Sequence, residues 1–285
     1  KLAVAEMYVQ GVSTRKVAAI AERLCGVEIS SAQVSRAAAA LDADLKTWRE
    51  RPLGAMPYLI LDARYEKIRH GGSVVSCAVL VAIGIDEAGH RSILGTSVSL
   101  SEAEPHWRDF LASLQARGLH GVKMIASDAH AGLREALNAR FPAVPWQRCQ
   151  FHLARNAMAY MPKESMRKQV GASLRAVFDA PDRPEAERQL GLAVQKYRTT
   201  APKLAEWLEA NVPQSLTAFS LPASHRRRLR TTNMLERVNR EIKRRTRVAT
   251  MFPNEASALR LVSAVLMEIS EEWETGRKYV TMESE

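Results

Sequence analysis

The feature that most constrains the fold is an almost continuous apolar run of strand length, YLILDARY at residues 58–65. Such a run is typical of a central strand covered on both faces, so it predicts a sheet between helical layers. Asp62 lies inside the run, and a lone buried carboxylate costs several kcal/mol unless it is paired, protonated or bound to metal. Polar residues are also common at strand ends, which leaves a purely structural explanation open for Asp62.

Two more strands follow after short turns. The turns are His70–Gly72 and Asp86–Gly89, and they precede strands predicted at residues 74–85 and 92–100. Because short connections join antiparallel neighbours, the first three strands should form an antiparallel meander.

The spacing of apolar residues then changes from strand to helix. Residues 104–117 carry a helical stripe, and residues 122–127 form a fourth strand that a crossover helix makes parallel to its neighbour. The fourth strand leads into Asp128, ahead of a further helix. Asp128 is therefore either an N-cap of that helix or a functional acid beside Asp62. A short fifth strand at 143–148 completes the predicted sheet.

A long helical segment separates the fifth strand from the C-terminal helices. Residues 149–222 contain no convincing strand, and helical patterns broken by prolines predict an all-helical insertion there.

A basic stretch, Ser224–Arg247, follows the insertion. It carries ten Lys or Arg and two Glu, and so holds most of the net charge of +10. From Asn233 onward its apolar residues fall on one side at helical spacing, and Glu236 lies with the cations on the other. Glu236 is either the acid of an Asn233–Glu236 capping box that also pairs with Arg240, or a metal-binding acid within a phosphate-binding surface.

This concentration of charge predicts a polyanionic partner. Nucleic acid fits better than a membrane surface, because no cluster of aromatic anchors accompanies the basic helix. The alternative is an exposed, solvated cluster. The residues predicted to contact DNA are Arg226, Arg227, Arg228, Arg230, Arg237, Arg240, Lys243, Arg244 and Arg247.

The N-terminal residues predict a small helical unit with helices at 1–10 and 14–24. The inward residues of the second helix should be Val17, Ile20, Ala21 and Leu24. A single third helix, capped by Ser30 or Ser31, should bury Val34, Ala38, Leu41, Leu45 and Trp48 on one face. This arrangement resembles a helix-turn-helix in which Gln33 and Arg36 contact DNA, although any three-helix packing unit gives the same pattern.

Three acids thus occur in a particular order: Asp62 on the first strand, Asp128 after the fourth and Glu236 on the helix after the fifth. If the first and fourth strands are neighbours, Asp62 and Asp128 come together, and carboxylates in one place repel each other. A divalent cation removes this repulsion, and hard oxygen ligands suit Mg²⁺ or Mn²⁺. Two such ions activate a nucleophile and stabilise the leaving oxygen of an in-line phosphoryl displacement.

The acids, separated by 66 and 108 positions, resemble the DDE triad of the Mutator-type transposases of bacterial insertion sequences. Four local phrases also resemble the family: LDARYEKIR at 61–69, GVKMIASDAHAGLREAL at 121–137, WQRCQFHLARN at 146–156 and TTNMLERVNREIKRR at 231–245. The resemblance covers about residues 57–273. One departure is Glu66, an acid where an apolar or neutral residue is expected. Glu66 should either face solvent or perturb the metal site.

The resemblance implies an α/β fold with an RNase H-like mixed sheet, of order β-β-β-α-β-α-β-α once the helical insertion is removed. The chain then divides into a helix-turn-helix-like DNA-binding region at 1–50, the first part of the catalytic core at 51–148, the all-helical insertion at 149–222 and the C-terminal helices with the catalytic Glu at 223–285. Only the last part of the family's DNA-binding region is expected in this chain.

The activity implied by the resemblance is metal-dependent cleavage of DNA strands and joining of their 3′-OH ends to target DNA. It assigns Asp62, Asp128 and Glu236 as catalytic and metal-binding residues around two Mg²⁺ or Mn²⁺ ions. The implied partners are double-stranded DNA, both terminal inverted repeats and target, and further copies of the chain in a homodimer or higher oligomer. The expected location is the bacterial cytoplasm, at the nucleoid. No secretory signal opens the sequence, and its longest apolar run, residues 74–85, is too short to cross a bilayer.

The Cys149-x-x-His152 pair also matches a family motif. Its spacing suggests half of a zinc site, which needs two more ligands, so we favour a buried Cys and a His packed near the acids. His130 could assist proton transfer or contact a phosphate, or it is an ordinary loop histidine. Asn233 and Asn239 are further candidates for active-site support. The other two cysteines, Cys25 and Cys77, should lie in the core, in keeping with a reducing compartment.

Two other functions remain open. A domesticated or truncated transposase would act mainly as a DNA-binding regulator. An RNase H-like nuclease would act on RNA or branched DNA, and the basic stretch does not exclude it, because phosphate contacts carry no sequence information.

Overall fold

The computed structural model of the protein describes residues 2–247 and 251–282. The side chains of residues 2–4 and of Cys25 lie outside this description, so the prediction that Cys25 is a core residue stays a prediction. Among the described residues, no helix combines the length and apolar character needed to cross a membrane.

The N-terminal region contains four helices. They are α1 (Leu2–Val9), α2 (Thr14–Cys25), α3 (Ser31–Ala39) and α4 (Asp42–Glu50). The prediction of a single third helix was wrong, because i→i+3 hydrogen bonds at Ala40 and Leu41 tighten the chain between α3 and α4. This break directs α4 so that Leu45 packs with Val9 against Ala264 of the C-terminal helix.

The inward face of α2 also differs from the prediction. Val17 and Ala21 are buried, but Leu24 is 80% exposed. The buried face of α2 ends at Ala21, and the last turn of the helix runs past it before Gly26 ends the helix with a positive φ.

A five-stranded mixed sheet forms the centre of the protein. Its strands are β1 (Tyr58–His70), β2 (Ser73–Ile85), β3 (Arg91–Ser99), β4 (Met124–Ser127) and β5 (Trp146–Arg148), in the spatial order β3-β2-β1-β4-β5. The first three strands are antiparallel, whereas β4 pairs parallel with β1 and with β5. The predicted meander and the predicted parallel neighbour of the first strand are both confirmed. The first strand is longer than predicted, because its pairing with β2 continues to His70 and Ser73.

Alternate residues of β1 face two different cores, as the strand period of two requires. Leu59 and Leu61 pack towards α5 (Glu104–Ala116) and α6 (Ala131–Arg140). Tyr58 and Ile60 pack on the opposite face, towards the C-terminal helices. Asp62 shares the parity of Ile60, so its side chain lies on the face that these helices cover.

The insertion between the sheet and the C-terminal helices is helical. Every residue from 149 to 222 is described and none lies in a strand; the helices are α7 (Gln150–Ala157), α8 (Arg167–Phe178), α9 (Arg183–Tyr197) and α10 (Pro202–Asn211). They bury a core of their own. Gln147 of β5 ties this unit to the sheet, since its amide donates to the Ser215 carbonyl at 2.8 Å and accepts from the Ala218 N–H at 2.6 Å.

The remaining helices cover one face of the sheet. They are α11 (Ala223–Leu229), α12 (Asn233–Thr246) and α13 (Glu255–Glu274). The predicted apolar stripe of α12 is confirmed, because Met234, Leu235, Val238 and Ile242 are all buried against the sheet-side core. Cys77 is buried in the same core, as predicted.

Gly132 lies where α6 packs closely beside the start of α5. A Cβ at Gly132 would meet the backbone of residues 102–104, with the Glu104 nitrogen 2.7 Å away. Gly132→Ala is therefore expected to lower the free energy of unfolding by about 1–3 kcal/mol. Gly191→Ala is the matched control, because Gly191 lies inside α9 with open space around its Cβ position. That change should stabilise by about 0.5–1 kcal/mol. Urea denaturation measures both, and equal effects of the two substitutions would contradict the close packing.

Candidate active site

Two of the predicted acids share one cavity. Asp62 lies in the middle of β1, and Asp128 directly follows β4, the parallel neighbour of β1. Both line a cavity of about 210 Å³ together with Glu102, His130 and other residues at this end of the sheet. The sheet order thus brings together two carboxylates that are far apart in the sequence.

The third acid approaches from α12, on the other side of a histidine. Glu236 lies in the first turn of α12, and its Oε1 is 3.8 Å from the His152 Nε2. The Nδ1 of the same imidazole is 3.9 Å from the Asp128 Oδ2. His152, which is buried in α7, therefore lies between Asp128 and Glu236.

The capping alternatives for Asp128 and Glu236 do not hold. Thr232 is the N-cap of α12 and no side chain caps that helix, so the Asn233–Glu236 capping box is absent. Among the ion pairs of the described residues, Glu236 occurs with His152 and not with Arg240. Asp128 does not cap α6 either: the N-cap there is His130, and the Asp128 Oδ1 accepts from the neighbouring Ala129 N–H at 2.7 Å.

The electrostatics of the acids reflect their confinement. Burial raises the pKa of Asp62 to about 6, with the Asp128 charge adding to the rise, although His152 and the Asn239 amide oppose it. Burial by itself lowers the pKa of His152, but Cys149, Asp128 and Asp62 together hold that pKa above its usual range. The site therefore favours a positive charge among the carboxylates.

Cys149 connects the sheet to the start of the Glu236 helix. Its Sγ is fully buried and accepts hydrogen bonds of 3.3 Å from the backbone N–H and the hydroxyl of Thr232, the residue before α12. The predicted burial of Cys149 is confirmed, and His152 packs beside Asp128 and Glu236. Within residues 2–247 and 251–282, no group of three or more His, Cys, Asp or Glu side chains is arranged to hold a metal ion. The half-zinc-site interpretation thus finds no further ligands in that part of the chain.

A row of polar residues on β1 fixes α12 in place. The Asn239 side-chain amide donates to the Asp62 Oδ2 at 2.8 Å, and the Arg64 guanidinium donates to the Asn239 carbonyl oxygen. Arg64 also forms a 2.6 Å ion pair with Glu66, which accepts from the Thr246 hydroxyl at 3.2 Å.

The expectation that Glu66 faces solvent was wrong. Its side chain is only 12% exposed and is neutralised by Arg64. The reason is the length of β1: Asp62, Arg64 and Glu66 are alternate residues of one strand, so all three lie under α12.

Sequence reasoning missed three residues around the acids. Glu102, 13% exposed, lines the cavity of Asp62 and Asp128, and its carboxylate is 3.8 Å from the His130 Nδ1. Arg148 ends β5 and donates to the Asn211 Oδ1 at 2.6 Å. Arg64 is the third. Glu102 lies in a loop, and Arg148 lies at the end of a strand. In such places no hydrophobic periodicity indicates which side chains point inward.

Two of the predicted DNA-binding arginines, Arg226 and Arg230, are held by other elements of the chain, and a third, Arg244, pairs with Glu241 of its own helix at 2.7 Å. Arg226 donates to the Pro181 carbonyl at 2.8 Å and stacks on Phe219, and Arg230 pairs with Asp179 at 2.7 Å. Both tie α11 to the turn between α8 and α9. The exposed members of the predicted set are Arg227, Arg228, Arg237, Arg240, Lys243, Arg244 and Arg247.

The remaining predicted residues are at the surface. Gln33 and Arg36 are exposed on α3, but the Gln33 Oε1 accepts from the Ser30 N–H at 2.7 Å in a capping box. This capping bond gives the Gln33 side chain a structural role that does not require DNA. Asn233 is exposed at the start of α12, and His130 is exposed at the cavity rim.

The donor atoms around the cavity fit a divalent cation in kind. They are carboxylate oxygens, the ligands that Mg²⁺ and Mn²⁺ prefer, and one oxygen each of Asp62 and Asp128 is left over by the Asn239 and Ala129 hydrogen bonds. They do not form a finished ligand set, because His152 lies between Asp128 and Glu236.

Comparison with known proteins gives a consistent result. Residues 1–276 match the family described as Transposase, Mutator family. The chain is 60% identical over 281 residues to the transposase for insertion sequence element IS406 of Burkholderia multivorans, a match that covers 98% of this chain and 72% of the relative. It is 46% identical over 280 residues to the ISRM5 transposase of Rhizobium meliloti, covering 98% and 70%. The transposase for IS256 in transposon Tn4001 of Staphylococcus aureus is 36% identical over 287 residues, covering 98% and 72%.

Proposed function

Because the chain belongs to the Mutator family of transposases, we propose that it cuts DNA at the ends of an insertion sequence and joins them to target DNA. The proposed catalytic acids are Asp62, Asp128 and Glu236. The observations that carry the assignment are that Asp62 and Asp128 line one cavity and that Asp128 and Glu236 lie on either side of His152, at 3.9 and 3.8 Å. The absence of the expected caps removes the structural explanations for Asp128 and Glu236.

The same three acids would hold two Mg²⁺ or Mn²⁺ ions. When bound, these ions supply activation of the attacking oxygen and stabilisation of the leaving oxygen in the phosphoryl displacement. The chain's own residues prepare the site. Asn239 orients the Asp62 carboxylate, and the row through Arg64 and Glu66 sets how α12 lies on β1.

DNA binding is proposed for the exposed cations of α12. Arg237, Arg240 and Lys243 lie within two turns of Glu236 on the solvent side of the helix, where phosphates of a duplex could bind beside the acids.

An RNase H-like core is likewise proposed. The antiparallel meander followed by parallel strands, with the helical insertion between β5 and α12, supports it.

The wider biology follows from family membership as part of the same proposal. The DNA partners are terminal inverted repeats and target DNA, the working form is a homodimer or higher oligomer, and the location is the bacterial cytoplasm.

Strand transfer tests this function against the two alternatives. The purified chain with Mg²⁺ is expected to join a pre-cleaved end duplex, with a free 3′-OH, to plasmid DNA. A regulator would bind the duplex without forming the joined product. An RNase H-like nuclease would instead cut an RNA–DNA hybrid in preference to the duplex. Either of these results would contradict the proposed transposase activity.

A further inference from the structure

A second group of arginines lies where β3, α11, α12 and the C-terminal segment meet, and one of its members, Arg237, directly follows Glu236. We call it the arginine–aromatic cluster: Arg91, Arg228, Arg237, Trp273 and Tyr279. The Arg91 Cζ lies 4.1 Å from the centre of the Trp273 ring and 4.9 Å from that of Tyr279. The Arg228 Cζ lies 5.3 Å from the Tyr279 ring centre.

The fold holds this cluster firmly. The Tyr279 hydroxyl donates to the Arg228 carbonyl oxygen at 3.2 Å, and the Tyr279 N–H donates to the Gly89 carbonyl oxygen at 2.8 Å. Val280, next in sequence, is buried in the sheet-side core. The C-terminal segment therefore fixes the Tyr279 ring against the turn before β3.

The cluster gathers like charges without neutralising them. Among the described residues, none of its three arginines takes part in an ion pair within 4.0 Å, although Arg245 of the same helix pairs with Glu241 and Glu268. Burial lowers the pKa of Arg91, and the nearby Arg237 and Arg228 charges lower it further, while Tyr279 and Glu272 oppose this shift. The Arg91 Nε is also buried without a hydrogen-bond partner. The aromatic rings hold the Arg91 and Arg228 guanidinium groups by cation–π contact, which leaves their charge available to a ligand.

The cluster continues into a groove beside the basic helix. Arg237, Arg240 and Arg244 of α12 line this groove together with Trp273 of α13, and its volume is about 430 Å³. Three acids, Glu241, Glu268 and Glu272, line it as well; the first two are paired with Arg244 and Arg245. Arg237 follows Glu236 in sequence, about 100° further round the helix. A polyanion bound near the acids can therefore extend across α12 to the cluster.

We propose that the arginine–aromatic cluster is a phosphate-binding site for duplex DNA, which extends the DNA path from α12 over the α12–α13 groove to the C-terminal segment. Planar guanidinium groups match phosphate oxygens in charge and geometry, and such contacts are independent of base sequence. This inference rests on the proposed DNA-cutting function. The site shares Arg237 with the α12 surface and adds Arg91, Arg228 and the two aromatic rings.

Salt dependence of DNA binding tests the site. Fluorescence anisotropy of the full chain with a labelled duplex should give a slope of log K against log salt that becomes about 0.9 less negative for Arg228→Gln and again for Arg237→Gln. Arg188→Gln on α9, which removes the same charge from an exposed intrahelical pair with Glu185, should leave the slope unchanged. An unchanged slope for Arg228→Gln would overturn the site, because Arg237 also belongs to the α12 surface already proposed to bind DNA.

Thermal stability separates a binding role from a structural one. In low salt without DNA, Arg228→Gln and Arg237→Gln should raise the Tm, because each relieves repulsion around Arg91. A lower Tm with an unchanged slope would make these arginines structural and overturn the proposal.

Failure of this site can also be distinguished from failure of the proposed function. Normal strand transfer with unchanged slopes would reject the cluster alone, whereas reduced slopes without strand transfer would keep the cluster and reject the catalytic function.

Discussion

Replacing Asp62, Asp128 or Glu236 by its neutral amide is expected to lower strand cleavage and strand transfer by at least about 10³-fold, roughly 4 kcal/mol of transition-state stabilisation. Asp62→Asn, Asp128→Asn and Glu236→Gln keep the size of each side chain and remove one negative charge. Because cation affinity depends on that charge, each variant should lose the metal-dependent chemistry. Duplex binding should survive, since the exposed cations of α12 are untouched.

Glu102→Gln is the matched control for these substitutions. Glu102 lines the same cavity as Asp62 and Asp128 but lies outside the predicted triad, and its carboxylate is near His130. We expect this variant to keep most of the activity. An equal loss in Glu102→Gln would mean that the set of catalytic acids has to be revised, and full activity in any triad variant would remove that residue from the set.

Asp62→Asn offers a readout that does not depend on activity. Burial disfavours the charged form of Asp62 in the free protein, so the neutral amide should raise the Tm measured without divalent ions. Mg²⁺ should stabilise the wild-type chain by mass action and stabilise this variant much less. Equal Mg²⁺-dependent shifts in both proteins would separate Asp62 from any metal site.

Arg64→Met is expected to destabilise the fold by about 3–5 kcal/mol, because it leaves Glu66 as an uncompensated charge beneath α12. The two side chains are 14% and 12% exposed, so water screens the pair poorly. About 1 kcal/mol corresponds to a shift of roughly 2–4 °C for a chain of this size, so the Tm should fall by about 10 °C. Thermal unfolding followed by circular dichroism measures the shift.

The double variant Arg64→Met/Glu66→Met separates charge from packing. Removing both charges should recover most of the lost stability, since replacing a buried pair by apolar groups of similar volume is often close to neutral. Arg183→Met is the control at an exposed pair with Glu187 and should change stability by less than about 1 kcal/mol. If the double variant stays as unstable as Arg64→Met, the ion pair is not the reason for the loss. Strand transfer should remain reduced in the double variant, because Arg64 also bonds the backbone of Asn239, which orients Asp62.

The sequence alone predicted much of the sheet and the candidate acids. The apolar run at 58–65 indicated a central strand, and short turns required an antiparallel meander. The helix between the third and fourth strands required a parallel neighbour. These are local consequences of backbone geometry, so they could be read without coordinates. The placement of Asp62 beside Asp128 followed from them.

Other features depended on how distant segments pack. Sequence patterns left the capping explanations of Asp128 and Glu236 open, because a capping box and a catalytic acid use the same residue types. Only the observed helix starts, at Ala131 and Asn233, removed them. The internal pairing of Arg226 and Arg230 was hidden for a similar reason. Their partners lie in the turn between α8 and α9, about fifty residues earlier in the chain.

The sequence by itself determined the strands, the basic helix and the three acids, because period, turn chemistry and charge are properties of neighbouring residues. Tertiary structure decided which charges are neutralised and which remain available. Glu66 became the partner of Arg64, Glu102 joined the acidic cavity, and Arg91 contacts two aromatic rings and has no ion pair within 4.0 Å in the described part of the chain. The physical reason is that the energy of a charge depends on what surrounds it in space, and residues far apart in the chain supply those surroundings.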